Sequence, residues 1–208
     1  ARCVICWYPW HGNLRCRLTS FTDTLMTLRS SFSRLAPGYV PGTGVALWAI
    51  NGLVQRGLRL DGDCRYGKHF TSRVLHSTGL SIEDECPNVR RSFAVSGGCY
   101  INAADGLHIG RGPIWGAHVA VISQDHDLDD FDHAPPTKGI TIGRSCWIGF
   151  GAVILPGVTL GDHTIVGANA VVNRSFPKGY VVIAGAPARQ VRQLDSAATH
   201  TITAIDRT

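Results

Sequence analysis

The chain contains 208 residues and carries a formal net charge of +5 at pH 7, from 20 basic and 15 acidic side chains. This length allows one sizeable hydrophobic core, or one domain with a small appendage. The charge excess is mild and no long basic run accompanies it, which argues against a nucleic-acid-binding surface. No apolar run approaches the ~20 residues of a membrane-spanning helix and no secretion signal is recognisable, so we expect a cytoplasmic protein without a membrane span.

Cysteine usage agrees with that compartment. The chain has seven cysteines, an odd number without the spacing of a disulfide framework, which is typical of a reducing environment. Cys3 and Cys6 form a Cys-x-x-Cys pair with His11 and Cys16 nearby, so a zinc knuckle is an alternative interpretation. Because Met26 is the only methionine, we expect residues 1–25 to lie upstream of the natural start, which would make the pair incidental.

Two helices are predicted before residue 58. Over residues 20–36, large apolar side chains recur at the spacing of one helix face: Phe21, Leu25, Leu28, Phe32 and Leu35. Pro37 and Gly38 end this helix. A second, shorter helix is predicted from about Val45 to Arg56. We therefore assign residues 1–57 to an N-terminal segment that is helical or irregular.

From residue 142 to residue 172 an aliphatic side chain recurs at every sixth position: Ile142, Ile148, Ile154, Leu160, Val166 and Val172. Neither an α-helix, with its period of 3.6, nor an ordinary strand, with its period of 2, produces this spacing. A strict repeat of this kind indicates stacked short strands, in which each unit buries one aliphatic side chain against the layers above and below. The pattern therefore predicts a triangular β-solenoid.

The repeat is less regular towards the N-terminus. Hexads begin at Val95 and Ile101, and after a slip of two residues they continue at Ile109, Trp115 and Val121. Residues 58–67 and 81–89 are predicted to be irregular short strands in imperfect first coils. We therefore assign residues 58–192 to the solenoid domain.

Residues 127–138 interrupt the repeat with the sequence DLDDFDHAPPTK. This segment is too acidic and proline-bearing to continue a coil, so it is predicted to project as a loop. At Phe176 a bulky ring stands where earlier units have a compact residue, which indicates that the solenoid ends there. The polar tail 193–208 is expected to be frayed or to form a short exposed helix.

The stretch WIGFGAVILPGVTLGDHTIVGANAVVNRSFPKGYVVIAGAPARQVR, from Trp147 to Arg192, resembles the hexapeptide-repeat acyltransferases, which include galactoside, maltose and polysaccharide O-acetyltransferases. The similarity covers roughly residues 95–192. It implies a mainly β fold, a left-handed parallel β-helix, assembled as a homotrimer with sites between subunits and using acetyl-CoA as donor. The handedness comes from the resemblance alone, because crossovers between parallel strands are generally right-handed. The sugar-contacting N-terminal segment of the maltose and galactoside enzymes is not recognisable here, which leaves the acceptor open.

His126 ends the hexad VISQDH directly before the loop, and the resemblance implies a catalytic histidine at this junction. Acyl transfer to a hydroxyl needs a base of near-neutral pKa to take the proton. His133, inside the loop, is the competing candidate, and a surface or packing role is the alternative for either ring. A backbone carbonyl or an acid such as Asp125 must orient the imidazole, and the sequence leaves both open.

The resemblance also implies that the backbone N–H of Phe150 stabilises the oxyanion. Relatives usually carry Gly or Ser at this position, so the phenyl ring is a departure that is expected to narrow the acceptor side. Asn102 is implied to contact the acceptor or the acetyl group, and a hydrogen bond along a corner of the solenoid is the alternative.

Seven residues are implied to bind acetyl-CoA: Trp147, Gly167, Ala168, Asn173, Arg174, Arg189 and Arg192. The tryptophan would line the pantetheine channel, and the two small residues would let the thiol arm approach the backbone. The asparagine and the arginines would lie near the adenine and the phosphates, which suit a guanidinium fork. The alternatives are core packing for the tryptophan, corner packing for the small residues and a solvated surface position for the arginines.

The resemblance predicts an acetyl-CoA-dependent O-acetyltransferase that acts on a carbohydrate hydroxyl, in cell-surface polysaccharide or glycolipid synthesis, by direct transfer and without a metal. N-acetylation of an amino sugar on the same scaffold is the first alternative. A zinc-dependent γ-type carbonic anhydrase is the second, but it needs three converging histidines. The spacing of His118, His126, His133 and His163 does not favour such a site.

Overall fold

The computed structural model describes residue 40 and residues 43–83 and 87–195. The predicted helix over residues 20–36, the Cys3–Cys6 pair and the tail beyond residue 195 lie outside the described residues. Within the described ranges, no helix has both the length and the apolar character needed to cross a membrane.

The second predicted helix is present. Helix α1 (Val45–Gly52) continues directly into a π-helical turn over Leu53–Gly57. Two polar side chains of this segment are buried and hold the chain that follows. The Asn51 carboxamide oxygen accepts a hydrogen bond from the Phe70 N–H at 2.9 Å. The Gln55 amide donates to two backbone carbonyls, of Cys64 and Tyr66, at 2.7 and 2.9 Å.

Fourteen short strands and one further helix follow in the described chain. They are β1 (Arg73–Leu75), β2 (Leu80–Ile82), α2 (Pro87–Val95), β3 (Tyr100–Asn102), β4 (Leu107–Ile109), β5 (Ile114–Trp115), β6 (Ala120–Ile122), β7 (Ile140–Ile142), β8 (Trp147–Ile148), β9 (Val153–Ile154), β10 (Thr159–Leu160), β11 (Ile165–Val166), β12 (Val171–Val172), β13 (Val181–Ala184) and β14 (Arg189–Gln193). A 3₁₀ turn over Ser77–Gly79 joins β1 to β2.

The strands form three parallel sheets, and each sheet takes every third strand of the repeat. Sheet A has the order β1-β3-β6-β9-β12, sheet B the order β2-β4-β7-β10, and sheet C the order β5-β8-β11-β13. The final strand, β14, pairs antiparallel with β13. Because the chain visits the sheets in the order A, B, C, it winds around a three-sided prism. We call the three edges of this prism AB, BC and CA, after the sheets that meet there.

The core is the column of side chains that the six-residue repeat predicts. All six aliphatic residues of the repeat from 142 to 172 are buried, with at most 3% exposure. Burying each such side chain contributes about 1.5–3 kcal/mol relative to exposure. The compact residues at the fifth position of the units fill the corners beside them; they are Cys146, Ala152, Val158, Thr164 and Ala170, all buried. The six-residue spacing is therefore the period of inward-facing side chains on successive prism faces.

Two predictions about the first coil were wrong. Residues 58–67 form turns and no strand, and the hexad expected to begin at Val95 is the end of helix α2. This helix buries Val89 and Phe93, one turn apart, against the core. The Phe93 ring packs edge-on to Trp115 with the ring centroids 4.8 Å apart. The helix thus covers the place where sheet C would need a strand before β5, and it caps the N-terminal end of the prism.

The predicted end of the solenoid at Phe176 was also wrong. Phe176 makes an isolated parallel bridge with Leu160 and so still occupies its layer of sheet B. The chain then adds β13 to sheet C before it reverses into β14. The ring fits because this register places Phe176 over Leu160, at an inward position that large apolar side chains occupy in the repeat, and not at the compact fifth position.

A buried ionic cluster joins the turns of residues 58–72 to the first strand. Lys68 has 1% of its surface exposed, its Nζ donates to the Ser72 carbonyl at 2.7 Å, and it lies 3.4 Å from an Asp61 carboxylate oxygen. The same carboxylate accepts hydrogen bonds from the Arg73 guanidinium and the Val74 N–H. Since a buried charge is tolerated only when it is paired, Asp61 holds the lysine and the start of sheet A together.

Candidate active site

The interruption of the repeat leaves the prism at edge AB. The chain departs after β6 and returns at β7, and residues 127–138 contain neither helix nor strand. The Thr137 hydroxyl donates to the Ser123 carbonyl at 2.5 Å, and the Thr137 N–H donates to Asp105 at 2.7 Å. These two bonds close the base of the loop against the coil and hold its two ends together.

The His126 side chain lies at the start of this loop and is exposed. Its Nδ1 is 2.8 Å from the carbonyl oxygen of Phe131. A carbonyl can only accept, so Nδ1 carries a proton, and in the neutral ring Nε2 is the nitrogen with the lone pair. Asp125 instead accepts a hydrogen bond from the His126 backbone N–H. Of the two orienting groups that the sequence left open, the backbone carbonyl is therefore the one that contacts the ring.

Asn102 lies on the same edge, one coil before the loop. Its backbone carbonyl accepts a hydrogen bond from the Ser123 N–H, three residues before His126. Its side-chain oxygen accepts from the Ala104 N–H at 3.1 Å and lies 3.1 Å from Nδ1 of His76. The asparagine thus makes local hydrogen bonds at this corner, on the edge that carries the histidine.

A second group of predicted residues lies on edge CA. Phe150 directly follows β8, and its carbonyl accepts a hydrogen bond from the Asn169 N–H of the next coil. Ala168 therefore lies directly above Phe150 along the edge, next to Gly167. On the coil below, a Cβ on Gly116 would approach the Phe150 nitrogen to 2.9 Å. Small residues thus flank the exposed phenyl ring (53% exposed) on the coils above and below it.

The remaining donor-site candidates lie on sheet C and on the last coil. Trp147, on β8, faces outward with 52% of its surface exposed, so the buried-core alternative for this residue is excluded. Arg189 and Arg192 are exposed on β14, beside β13. Asn173 and Arg174 follow β12 and lie on edge AB instead, where the Arg174 guanidinium lies 5.3 Å from the Phe176 ring centroid.

Apart from Trp147, Arg189 and Arg192, the predicted residues therefore form two strips, one on each of the edges that bound sheet A. His126 and Asn102 are on edge AB, whereas Phe150 and Ala168 are on edge CA, across the width of sheet A. One chain does not bring the predicted base next to the predicted oxyanion donor.

The histidines of the carbonic anhydrase alternative are also dispersed. His118 lies on edge CA, His126 on edge AB and His163 on edge BC. In the described part of the chain, no three His, Cys, Asp or Glu side chains come together in a way that could hold a metal ion. A single chain therefore offers no three-histidine site among these residues.

Two contacts at the site have no signal in the sequence. The Phe131 carbonyl is a backbone atom whose position depends on the fold of the loop, so no residue type indicates it. His118 contacts the Phe150 ring, with the ring centroids 5.2 Å apart. The two residues are far apart in the repeat pattern, and only the stacking of successive coils brings them together.

Comparison with known protein families gives one match, "Bacterial transferase hexapeptide (six repeats)", over residues 139–174. This range is the most regular part of the prism, from β7 to the residues that follow β12.

Two curated relatives align with this chain over most of their own length. The putative lipopolysaccharide biosynthesis O-acetyl transferase WbbJ of Escherichia coli is 29% identical over 153 residues, which cover 65% of this chain and 74% of that protein. A putative acetyltransferase of Dictyostelium discoideum is 36% identical over 141 residues, covering 61% of this chain and 73% of the relative. Six other curated relatives are matched over only 30% to 46% of their own length.

A solved structure with a similar fold is that of a mutant of AntD, an N-acyltransferase from Bacillus cereus. Its TM-score is 0.50 at 12% identity, and the alignment covers 69% of this chain and 88% of that one. At this identity the likeness concerns the fold alone. Together with the family match, it confirms the predicted fold, a left-handed parallel β-helix.

Proposed function

Because this chain belongs to the hexapeptide-repeat acyltransferase family, we propose that it transfers an acetyl group from acetyl-CoA to a hydroxyl of a carbohydrate. The WbbJ relative is named for O-acetyl transfer in lipopolysaccharide biosynthesis, which supports an acceptor in cell-surface polysaccharide or glycolipid synthesis. We propose that the reaction takes place in the cytoplasm, where acetyl-CoA is present.

The observation that carries this proposal is the orientation of His126. The Phe131 carbonyl fixes the proton on Nδ1, which leaves Nε2 as a hydrogen-bond acceptor for a substrate hydroxyl. A sugar hydroxyl is a poor nucleophile at neutral pH until a base removes its proton during attack. The imidazole takes that proton at Nε2 as the hydroxyl oxygen attacks the thioester carbonyl, and CoA thiolate leaves. The proton then passes to the departing sulfur.

The oxyanion that forms on the thioester carbonyl needs a hydrogen-bond donor, which typically lowers the barrier by about 3 kcal/mol. The proposed donor is the backbone N–H of Phe150. Trp147, Gly167 and Ala168 line the path of the pantetheine arm, while Asn173, Arg174, Arg189 and Arg192 bind the nucleotide part. Asn102 contacts the acceptor. No protein group is acylated in this scheme, and no metal takes part.

The arrangement of the two strips supports a cyclic homotrimer. If sheet A of every subunit faces the threefold axis, edge AB of one subunit meets edge CA of the next, and each meeting point combines His126 with Phe150. A head-to-tail contact of this kind closes into a ring. The outward side chains exclude sheet B from the axis, because they are polar there (Ser81, His108, Thr141 and Thr159), whereas those of sheet A are mostly apolar (Tyr100, Ala120, Val153 and Val171). The outward side chains of sheet C are apolar as well (Ile114, Trp147, Ile165 and Val182), so the choice of sheet A rests on the two strips.

The test is a product assay with the purified full chain, acetyl-CoA and a panel of free sugars, amino sugars and nucleotide sugars. Release of CoA and mass spectrometry of the products identify the acceptor and the acetylated atom. An ester product on a sugar hydroxyl is expected. An amide product would favour the N-acetyltransferase alternative, and no CoA release with any acceptor, combined with no binding of acetyl-CoA, would contradict the proposal.

A further inference from the structure

The region below Phe150 on edge CA carries a feature that the proposed reaction does not use. His118 lies one coil nearer the N-terminal end of the prism, on the same edge, and its exposed imidazole contacts the Phe150 ring. The two rings meet at 63°, an edge-to-face arrangement that is favourable for aromatic pairs. Two rings from successive coils thus contact each other on this edge.

The imidazole of His118 is held from below as well as from above. Gly98 lies under it on the preceding coil, and a Cβ at Gly98 would come within 2.5 Å of the His118 Nδ1. Only a residue without a side chain leaves room for the ring in this position. His118 itself has a left-handed backbone conformation, with φ of 58°, which turns its side chain onto the edge. The backbone therefore places the imidazole against Phe150.

In the proposed binding mode, acetyl-CoA runs along edge CA towards the Phe150 and His118 rings. This step rests on the proposed function, in which the nucleotide lies near Arg189 and Arg192 at the C-terminal end and the thioester lies at the Phe150 N–H. The pantetheine arm then runs along edge CA past Ala168 towards the N-terminal end. An acyl chain longer than acetyl would continue in the same direction, into the next coil about 4.8 Å away. That space is where the Phe150 and His118 rings lie.

We propose that Phe150 and His118 form an end wall of the donor groove that restricts the acyl group to acetyl. Phe150 is the residue that contacts the acyl chain. His118 acts through it as a positioning residue, because it restricts the rotation of the phenyl ring away from the edge. In this proposal the Phe150 ring limits the donor, instead of narrowing the acceptor side as the sequence led us to expect.

The test compares binding of acetyl-CoA and butyryl-CoA by isothermal titration calorimetry, which needs no acceptor. The wild-type chain is expected to bind butyryl-CoA ~10-fold or more weakly than acetyl-CoA, since accommodating or rejecting a methylene changes recognition by about 10-fold or more. Phe150→Ala should bring the two Kd values close to each other, and Phe150→Leu should give an intermediate ratio. His118→Ala should lower the ratio by a smaller factor, whereas His118→Phe should restore it.

His163→Ala is the matched control. His163 also has a left-handed φ, 54°, and its ring lies 4.8 Å from the Tyr180 ring, but it is on edge BC. This variant should keep the wild-type ratio, because a general loss of stability does not change the preference between two donors. A wild-type chain that binds acetyl-CoA, with a ratio that neither Phe150→Ala nor His118→Ala changes, would overturn this inference alone. A wild-type chain that binds no acetyl-CoA would overturn the proposed function and the end wall with it.

Discussion

The Nδ1 of His126 is 2.8 Å from the carbonyl oxygen of Phe131, so the loop that carries the histidine also orients it. The loop folds back on itself through backbone bonds between Asp127 and His133 and between His133 and Asp130. The proposed base is thus positioned by a segment of a dozen residues that departs from an otherwise continuous coil. The inserted loop selects the tautomer of the His126 imidazole, and the regular prism holds the two ends of the loop in place.

Replacing His126 by Ala is expected to lower turnover by ~100-fold or more, because a positioned general base usually contributes that much. Binding of CoA should be unchanged, since the imidazole serves the hydroxyl and not the nucleotide. Steady-state kinetics with the acceptor found in the product assay, together with calorimetry with CoA, measures both quantities. His133→Ala is the control and should keep most of the activity. Normal turnover in the His126 variant with a loss in the His133 variant would move the base to His133.

Mixing two inactive variants tests whether each site needs two chains. His126→Ala removes the base, and Phe150→Pro removes the backbone N–H that is proposed to bind the oxyanion. If a site combines edge AB of one subunit with edge CA of the next, a hybrid site is intact only where the Phe150→Pro chain supplies His126 and the His126→Ala chain supplies the Phe150 N–H. After random 1:1 co-refolding this holds at about a quarter of the interfaces, so about a quarter of the sites should regain activity. Each variant alone should stay inactive. Size-exclusion chromatography must show that both variants assemble like the wild type, and a hybrid without activity would contradict the shared site.

Removing the carboxylate of Asp61 should destabilise the fold. Asp61→Asn leaves the charge of Lys68 buried without its partner, which typically costs about 3 kcal/mol. Urea unfolding at pH 7 measures the loss. Glu83→Gln, which removes an exposed ion pair with Arg144, is the control and should change the stability little. Equal effects of the two substitutions would contradict the importance of the buried pair.

The same carboxylate predicts how stability depends on pH. Burial acts to raise the pKa of Asp61, but hydrogen bonds from Arg73 and the Val74 N–H, with the charges of Lys68 and Arg73, outweigh it and hold the pKa below its ordinary value. A carboxyl whose pKa is lowered by folding contributes stability above its unfolded pKa and loses it as the pH falls through the folded value. The difference in the free energy of unfolding between the wild type and Asp61→Asn should therefore become smaller below about pH 4. Urea unfolding at a series of pH values measures this difference, and a value that does not change as the pH falls below about 4 would contradict the prediction.

The described cysteines should be unreactive in the folded protein. Burial raises the pKa of Cys64 and of Cys99, and it raises the pKa of Cys146 to about 12. Because only the thiolate is nucleophilic, these three side chains should resist iodoacetamide at about pH 8 in buffer and react in urea. Peptide mass spectrometry distinguishes them from the other cysteines. Rapid labelling of Cys146 in the native protein would contradict the prediction.

The six-residue repeat predicted most of the prism, because each aliphatic side chain from Ile142 to Val172 must point inward for the coils to stack. The first coil escaped prediction because tertiary packing replaces its third strand with helix α2. Phe93 and Val89 reach the core as well from a helix as from a strand, and a repeat pattern cannot distinguish the two. Phe176 was misassigned because the last coil is two residues shorter than a regular one, which places this residue in register with Leu160 and not at a compact corner position.

By itself, the sequence determined the chemistry available: an imidazole at a junction between coil and loop, small residues along one edge, and arginines near the end of the prism. Only the tertiary structure decided which edge each of them occupies, because a residue's edge depends on every insertion and slip before it in the coil. It also decided the contacts that depend on backbone atoms or on stacked layers, such as the Phe131 carbonyl against His126 and the His118 ring against Phe150. Residue type records what a side chain can do, whereas the winding of the chain decides what it can reach.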